Sequence, residues 1–324
     1  MVKGKNTNSL MRHLRDNHNI DIQGSKDKKN LMNMGYYHGY KGYRYIKIPQ
    51  NTIEFQSFSE VVAIYEFDMM LKTIFYPNLM MLETALKNHV LEVIIKKGSA
   101  DFEHVFTNLL NDYKKENAGS KKYKKKMKSR LNLRDHIYDT ISRSFASDKP
   151  VIQHFFHKNE PIPLWAIFEV ITLGSFGSFV HCLNEETRLE IANEIGLKST
   201  NHNHNGRLVE KMVFAIKDLR NAVAHNSVIF DCRFKQGEPA AELKAFLSSE
   251  TGVRDVTFDN IVDYLVLVIY LKKNFGATKT ELKKIIKDFS RECEHFGEVI
   301  PREAYSAILG TDFRTKITRL LRYV

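Results

Sequence analysis

The sequence predicts an all-α protein, a multi-helix bundle with a small irregular or short-hairpin N-terminal element. Two observations predict it. From residue 59 onward apolar side chains recur every three or four positions, the period of a helix that buries one face. The alternating pattern of a strand is confined to a short stretch, Ile46-Lys47-Ile48-Pro49, among residues that favour turns. At 324 residues, 43% hydrophobic and 27% charged, the chain has ample material for a buried core.

Residues 1–58 read as an N-terminal Gly/Tyr-rich segment centred on Gly35-Tyr36-Tyr37-His38-Gly39-Tyr40-Lys41-Gly42-Tyr43-Arg44-Tyr45, which suits tight turns and a short hairpin. Tyr36, Tyr37, Lys41 and Arg44 fit two readings. They form a platform on which RNA bases stack beside cations, or the tyrosines pack the edge of the core with their hydroxyls at the surface.

Residues 59–97 carry Val61, Ile64, Leu71, Ile74 and Phe75, then Leu79, Leu82, Leu86 and Val90, at helical spacing. Pro77 is expected to kink this helix or divide it in two. Its polar residues, Glu66, Asp68, Glu83, Lys87 and His89, fit two readings, buried partners of a functional Arg or His or a solvated stripe; the stripe fits most of them better, and Glu83 is the exception. Residues 113–136 hold ten Lys and Arg against Glu116 and Asp135, so they carry +8 of the chain's +11. Such density self-repels unless a polyanion neutralises it, and Lys121, Lys122, Lys124, Lys125, Lys126, Lys128, Arg130 and Arg134 are the candidate contacts to an RNA backbone. An exposed loop at Gly119-Ser120 should lead into a helix ending near residue 147.

Residues 161–183 open with Pro161 and Pro163 and read as one buried helix, from Trp165 through Phe168, Leu173 and Phe176 to Phe179. Glu169 in so apolar a setting calls for a partner, and Gly174 and Gly177 allow close helix contact or a break. Helical spacing returns over 187–195 and 207–224, the latter behind the polar loop Asn201-His202-Asn203-His204-Asn205-Gly206, read as a cap for the next helix. Amphipathic helices follow over 259–275, 279–292, 302–309 and 313–324. The chain thus divides into residues 1–58, a helical core over 59–275 with the basic insertion 113–136, and C-terminal basic helices over 276–324 packed on the core.

Lys and Arg number 49 against 38 acidic residues, which favours a polyanionic partner. Cys182, Cys232 and Cys293 are scattered with no CxxC or Cys/His cluster, so no metal site is expected and a reducing, cytoplasmic setting is. The longest apolar run, residues 262–271, contains Asp263 and falls well short of the roughly twenty residues a membrane crossing needs. No GxxxxGK[ST] or GxGxxG loop is present, and no cofactor is expected.

The stretch that carries chemistry is Leu219-Arg220-Asn221-Ala222-Val223-Ala224-His225-Asn226. An RNA 2′-hydroxyl can attack its own phosphodiester if one group takes its proton, another steadies the charge on phosphorus and a third protonates the leaving oxygen. Histidine as a residue type can serve as base or acid, which is the role open to His225; Arg220 presents a fork of donors to phosphate, and Asn221 can orient the phosphate or the imidazole. The bare Arg-x4-6-His spacing also occurs at Arg12 to His18 and Arg130 to His136, neither with Asn after the Arg. On one helix Asn221 and His225 share a face, whereas Arg220 and His225 are turned about 140° apart, so a single helix makes half a pocket. A bland alternative makes His225 a cap for the helix end and Arg220 a surface ion-pair partner.

The Arg-Asn-x3-His run resembles the signature of HEPN domains, helical nucleases that build a composite cleft from two such motifs. In chain order, Gly35-Tyr36-Tyr37 with its Gly-Tyr repeats, Tyr65-Glu66-Phe67-Asp68, Glu83 with Leu86-Lys87, Trp165 to Gly174, and Arg220 to His225 together resemble Abi-like abortive-infection proteins of the AbiD/AbiF type. That likeness covers roughly residues 30–270. It implies a HEPN-like bundle, a metal-independent endoribonuclease of bacterial phage defence held in check as an RNA-regulated toxin, and partnership with a structured small RNA or target RNA. Arg220, Asn221 and His225 match the motif directly; Glu169 and Glu83 map onto it as orienting residues. One motif per chain implies a homodimer, or completion of the pocket from the same chain. Ser227-Val228-Ile229-Phe230-Asp231 departs from relatives that carry a basic residue soon after the motif His. The competing expectation is a non-catalytic RNA-binding component of a defence or toxin-antitoxin complex; a DNA-binding regulator lacks a recognisable recognition helix.

Overall fold

The structure, a computed structural model, describes residues 4–197 and 203–324. It is all-α: fifteen α-helices and no strands among the described residues. In order they are α1 (Thr7–His18), α2 (Gly24–Met34), α3 (Phe58–Lys96), α4 (Phe102–Asn108), α5 (Lys121–Ala146), α6 (Pro150–Lys158), α7 (Leu164–Val170), α8 (Leu173–Cys182), α9 (Glu185–Glu194), α10 (Leu208–Ala224), α11 (Ala241–Thr251), α12 (Ile261–Asn274), α13 (Lys279–Val299), α14 (Arg302–Leu309) and α15 (Phe313–Tyr323). A π-helical turn, Gly35–Lys41, extends α2, and a short 3-10 turn, Asp112–Lys115, precedes α5.

The rod α3 is the axis of the bundle. Its buried side chains, including Val61, Ile64, Leu71, Phe75, Leu79, Leu82, Leu86 and Val90, recur at the spacing that keeps one stripe inward. Against that stripe lie α9, α10, α12 and α13, with Phe67 stacked on Phe296 of α13 at 4.2 Å between ring centroids. Pro77 does not divide the helix. It lies on the exposed side, where the carbonyl it leaves without an amide donor faces solvent, and Asn78 Nδ2 donates to the Ile74 carbonyl one residue along.

The N-terminal segment corrects its expectation. Most of it is helical, as α1, α2 and the π-helical turn; the expected hairpin is reduced to one antiparallel bridge, Tyr45 with Thr52. The expected single helix over 161–183 is two. Thr172 ends α7 and caps α8, its side chain accepting the Ser175 amide. Gly177 then lets α8 press on α10: a Cβ there would stand 2.9 Å from the Phe214 ring and 3.2 Å from Val213 Cγ1. At the other end of α10, Gly206 holds φ at +69°, and a Cβ would come within 2.6 Å of the Arg188 backbone. Of the polar loop before α10, Asn201 and His202 lie outside the described residues. Asn203 and Asn205 do cap the helix, accepting the amides of Leu208 and Arg207. Among the described residues no helix is long and apolar enough to cross a membrane.

Candidate active site

Helix α10 is buried along Leu208, Met212, Val213, Ile216, Leu219 and Val223, and this inward stripe fixes which side Arg220 and Asn221 face. Arg220 Nε donates to Glu83 Oε2 of α3 at 2.8 Å, and its Nη1 donates to Asn221 Oδ1 at 3.2 Å. The other oxygen of Glu83 takes Lys87 Nζ at 3.0 Å, and the same ammonium donates to the carbonyl of Ile171 at the α7–α8 break. Glu83 therefore orients the guanidinium from behind. Its Nη2 has no partner among the described residues and remains available to a phosphate.

His225 follows α10 as its C-cap residue. The helix is closed by backbone alone: the Asn226 amide donates to the Val223 carbonyl and the Ser227 amide to Ala222, with Asn226 in the left-handed conformation at φ 53°. This is a Schellman closure with Asn where Gly is commonest. The His225 imidazole is exposed and makes no hydrogen bond among the described residues. It is not a cap.

The segment after His225 is held tightly. Asp68, fully buried on α3, accepts the amides of Ile229 and Phe230 at 2.8 Å each and the Tyr43 hydroxyl at 2.7 Å, and pairs with Lys72 Nζ at 2.7 Å. A carboxylate so enclosed is expensive to bury unless every lone pair has a donor, and here four donors converge. The expectation that Asp68 lies in a solvated stripe is thereby overturned. Beyond it, Asp231 pairs with Arg233, whose guanidinium also donates to the carbonyls of Gly42 and Tyr45 and so ties the N-terminal segment to the motif.

Glu169 is not brought to this site: it is exposed on α7 and has no hydrogen-bond or ion-pair partner among the described residues. Its supposed need for a partner came from reading 161–183 as one buried helix. The break at Thr172 instead leaves Trp165 and Glu169 on the outer side of α7.

The basic run separates into two groups. Lys121, Lys122, Lys124, Lys125 and Lys128 are exposed along the N-terminal half of α5. Of the other candidate contacts, Lys126, Arg130 and Arg134 are engaged by the protein itself. Lys126 bridges Asp112 and Glu116 at 2.8 and 2.7 Å. Arg130 donates to the carbonyls of Leu110 and Phe106 and lies 3.6 Å over the Phe106 ring, and Arg134 pairs with Glu103. Asp112 also receives Arg188 and Arg207, while Glu210 takes Arg207 and His181. Burial would raise the Asp112 carboxyl, but Lys126, Arg188 and Arg207 outweigh it and hold it below its ordinary range. Glu210 is likewise held low, by His181 and the two arginines against its burial.

On the π-helical turn Tyr36 and Tyr40 face α1, their rings tilted against those of His13 and His18, with Lys41 over the Tyr36 ring at 5.6 Å. Tyr40 and Tyr43 are buried, Tyr36, Lys41 and Arg44 half-buried, and Tyr37 81% exposed. The tyrosines thus divide between core and surface. On the other side of the turn, His38 Nε2 lies 3.2 Å from the Asn226 amide nitrogen, beside the motif. Neither His38 nor Asn226 was singled out as a site residue from sequence. The one signal was an Asn directly after the motif His, a residue that favours the left-handed closing position.

This is the geometry of residues 29–231, and over those residues the chain matches the model of the Abi-like protein family. The chain belongs to that family. Membership places it with the abortive-infection proteins of phage defence. Among curated proteins and among solved structures nothing matches the chain. The family match begins just before the π-helical turn and ends at Asp231, so it takes in the buried Asp68 network, the Glu83–Arg220 pair and His225.

Proposed function

We propose that this Abi-like protein is a metal-independent endoribonuclease of the HEPN kind, acting in abortive infection as an RNA-regulated toxin. The observation that carries the reading is the division of labour at the end of α10. The backbone closes the helix and Glu83 fixes Arg220, while the His225 imidazole and Arg220 Nη2 have no hydrogen-bond partner among the described residues. In this reading Arg220 neutralises charge on the pentacoordinate phosphate, Asn221 and Glu83 hold the guanidinium, and His225 transfers a proton. The exposed lysines of α5 and the Tyr36, Tyr37, Lys41 and Arg44 surface supply RNA contacts, and a second copy of the chain presents its own motif across a shared groove.

Incubating the protein with total RNA in excess EDTA and mapping the new ends tests this. Ends bearing 2′,3′-cyclic phosphate and 5′-hydroxyl are expected. Retention of RNA with no new ends would instead favour the second reading, a non-catalytic RNA-binding defence component, which the exposed lysine face of α5 supports by itself.

A further inference from the structure

We propose that His38 is a second catalytic imidazole of the same site, supplied by the same chain, with His38 as general base and His225 as general acid. This rests on the endoribonuclease reading and deepens it. Asn226 Oδ1 accepts Lys72 Nζ at 2.8 Å, and Lys72 is itself locked to Asp68 at 2.7 Å in the interior. A lysine has donors only, so the Asn226 oxygen must face it. The Asn226 amide nitrogen must then face His38, and across that 3.2 Å contact His38 Nε2 has to accept. A buried ion pair two contacts away thus sets Nε2 as the accepting nitrogen of the ring in this contact. Tyr65 of α3 also lies edge-on to this ring, at 6.5 Å between centroids. His38 is exposed, as is His225, which directly precedes Asn226 in the chain.

Cleavage needs two proton transfers at once, which a lone imidazole cannot supply from one position. In the proposed step the 2′-hydroxyl proton passes to His38 Nε2, replacing the Asn226 hydrogen bond, as the 2′-oxygen bonds to phosphorus. The bond from phosphorus to the 5′-oxygen breaks, and that oxygen takes a proton from protonated His225. The products are a 2′,3′-cyclic phosphate and a 5′-hydroxyl. Solvent then returns one proton from His38 to His225, so a turnover neither gains nor loses protons. Each chain holds its own acid and base, and a second copy adds grip on RNA rather than a missing group.

The test compares full-length wild type, His225→Ala, His38→Ala and His38→Gln on a mixed-sequence oligoribonucleotide in EDTA, with and without added imidazole. Gln keeps an acceptor for Asn226 but cannot carry a proton, so it serves even if the Ala variant folds poorly. Both His38 variants should bind RNA as wild type does and cleave about 100-fold or more slowly. Imidazole should restore His38→Ala by about tenfold, which a merely structural role would not permit. On a uridine 3′-(p-nitrophenyl phosphate), whose leaving group needs no proton, His225→Ala should recover while His38→Ala stays slow. Wild-type rates in both His38 variants, with His225→Ala inactive, overturn this inference alone. No cleavage by wild type overturns the endoribonuclease reading and this inference with it.

Discussion

Arg220 and Glu83 meet through one hydrogen bond, Nε to Oε2 at 2.8 Å, between residues 137 positions apart on α10 and α3. The pair is mostly buried, and Glu83 also answers Lys87, so one carboxylate aligns the Arg220 guanidinium and neutralises the Lys87 ammonium. Glu83→Gln keeps the shape and removes the charge. It should cost about 1–3 kcal/mol in denaturant unfolding. On the proposed function it should also slow RNA cleavage about tenfold or more while leaving RNA affinity nearly unchanged. Equal cleavage rates would detach Glu83 from the chemistry.

Asp68 anchors the residues after the motif. Asp68→Ala strands Lys72 in the interior and frees two amides, so it should destabilise the fold by about 3–5 kcal/mol. Asp68→Asn, which can still accept, should lose less. Chemical denaturation of both checks the order; an Ala variant as stable as wild type would contradict the buried network.

The Asp112 and Glu210 carboxyls are held below their ordinary range in the fold. Groups of that kind stabilise the native state above the unfolded carboxylate value, about 4, and lose that contribution as pH falls through their lower folded values. The melting temperature should therefore drop steeply below about pH 4. Asp112→Asn should be less stable at neutral pH, with Arg188 and Arg207 left unpaired, and should show a shallower acid dependence. Calorimetry across that range decides; parallel curves would remove Asp112 from the account.

The lysine face of α5 should set affinity. Replacing Lys121, Lys122, Lys124, Lys125 and Lys128 with Gln should flatten the log-log salt dependence of single-stranded RNA binding by about three units, at roughly 0.7 per phosphate contact. Lys126 is left alone because it clamps Asp112 and Glu116. An unchanged slope would make the run a solvated stripe, with the RNA path elsewhere.

What the sequence disclosed followed local pattern. Helices α3, α5, α10 and α12 to α15 were legible because their apolar residues repeat at helical spacing, while Arg220, Asn221, His225 and Glu83 stood out as candidates because their types suit the chemistry. Helix α1 was not, since only Met11 and Leu14 of its twelve residues are buried and the rest reads as polar tail. Asp68 looked solvated because three of its four donors, Tyr43, Ile229 and Phe230, lie 25 to 162 residues away. For the same reason no local rule separates the free lysines of α5 from Lys126, Arg130 and Arg134, or brings His38 to Asn226. Glu169 was misjudged because one continuous helix was assumed where Thr172 starts another.

The most direct measurement is single-turnover cleavage of RNA by wild type and His225→Ala in EDTA, with melting temperature and RNA affinity recorded for both. With the helix end closed by Asn226 and Ser227 rather than by the imidazole, the variant should fold and bind RNA as wild type does and cleave about 100-fold or more slowly. A variant that cleaves at the wild-type rate, or one that fails to fold, would contradict the account.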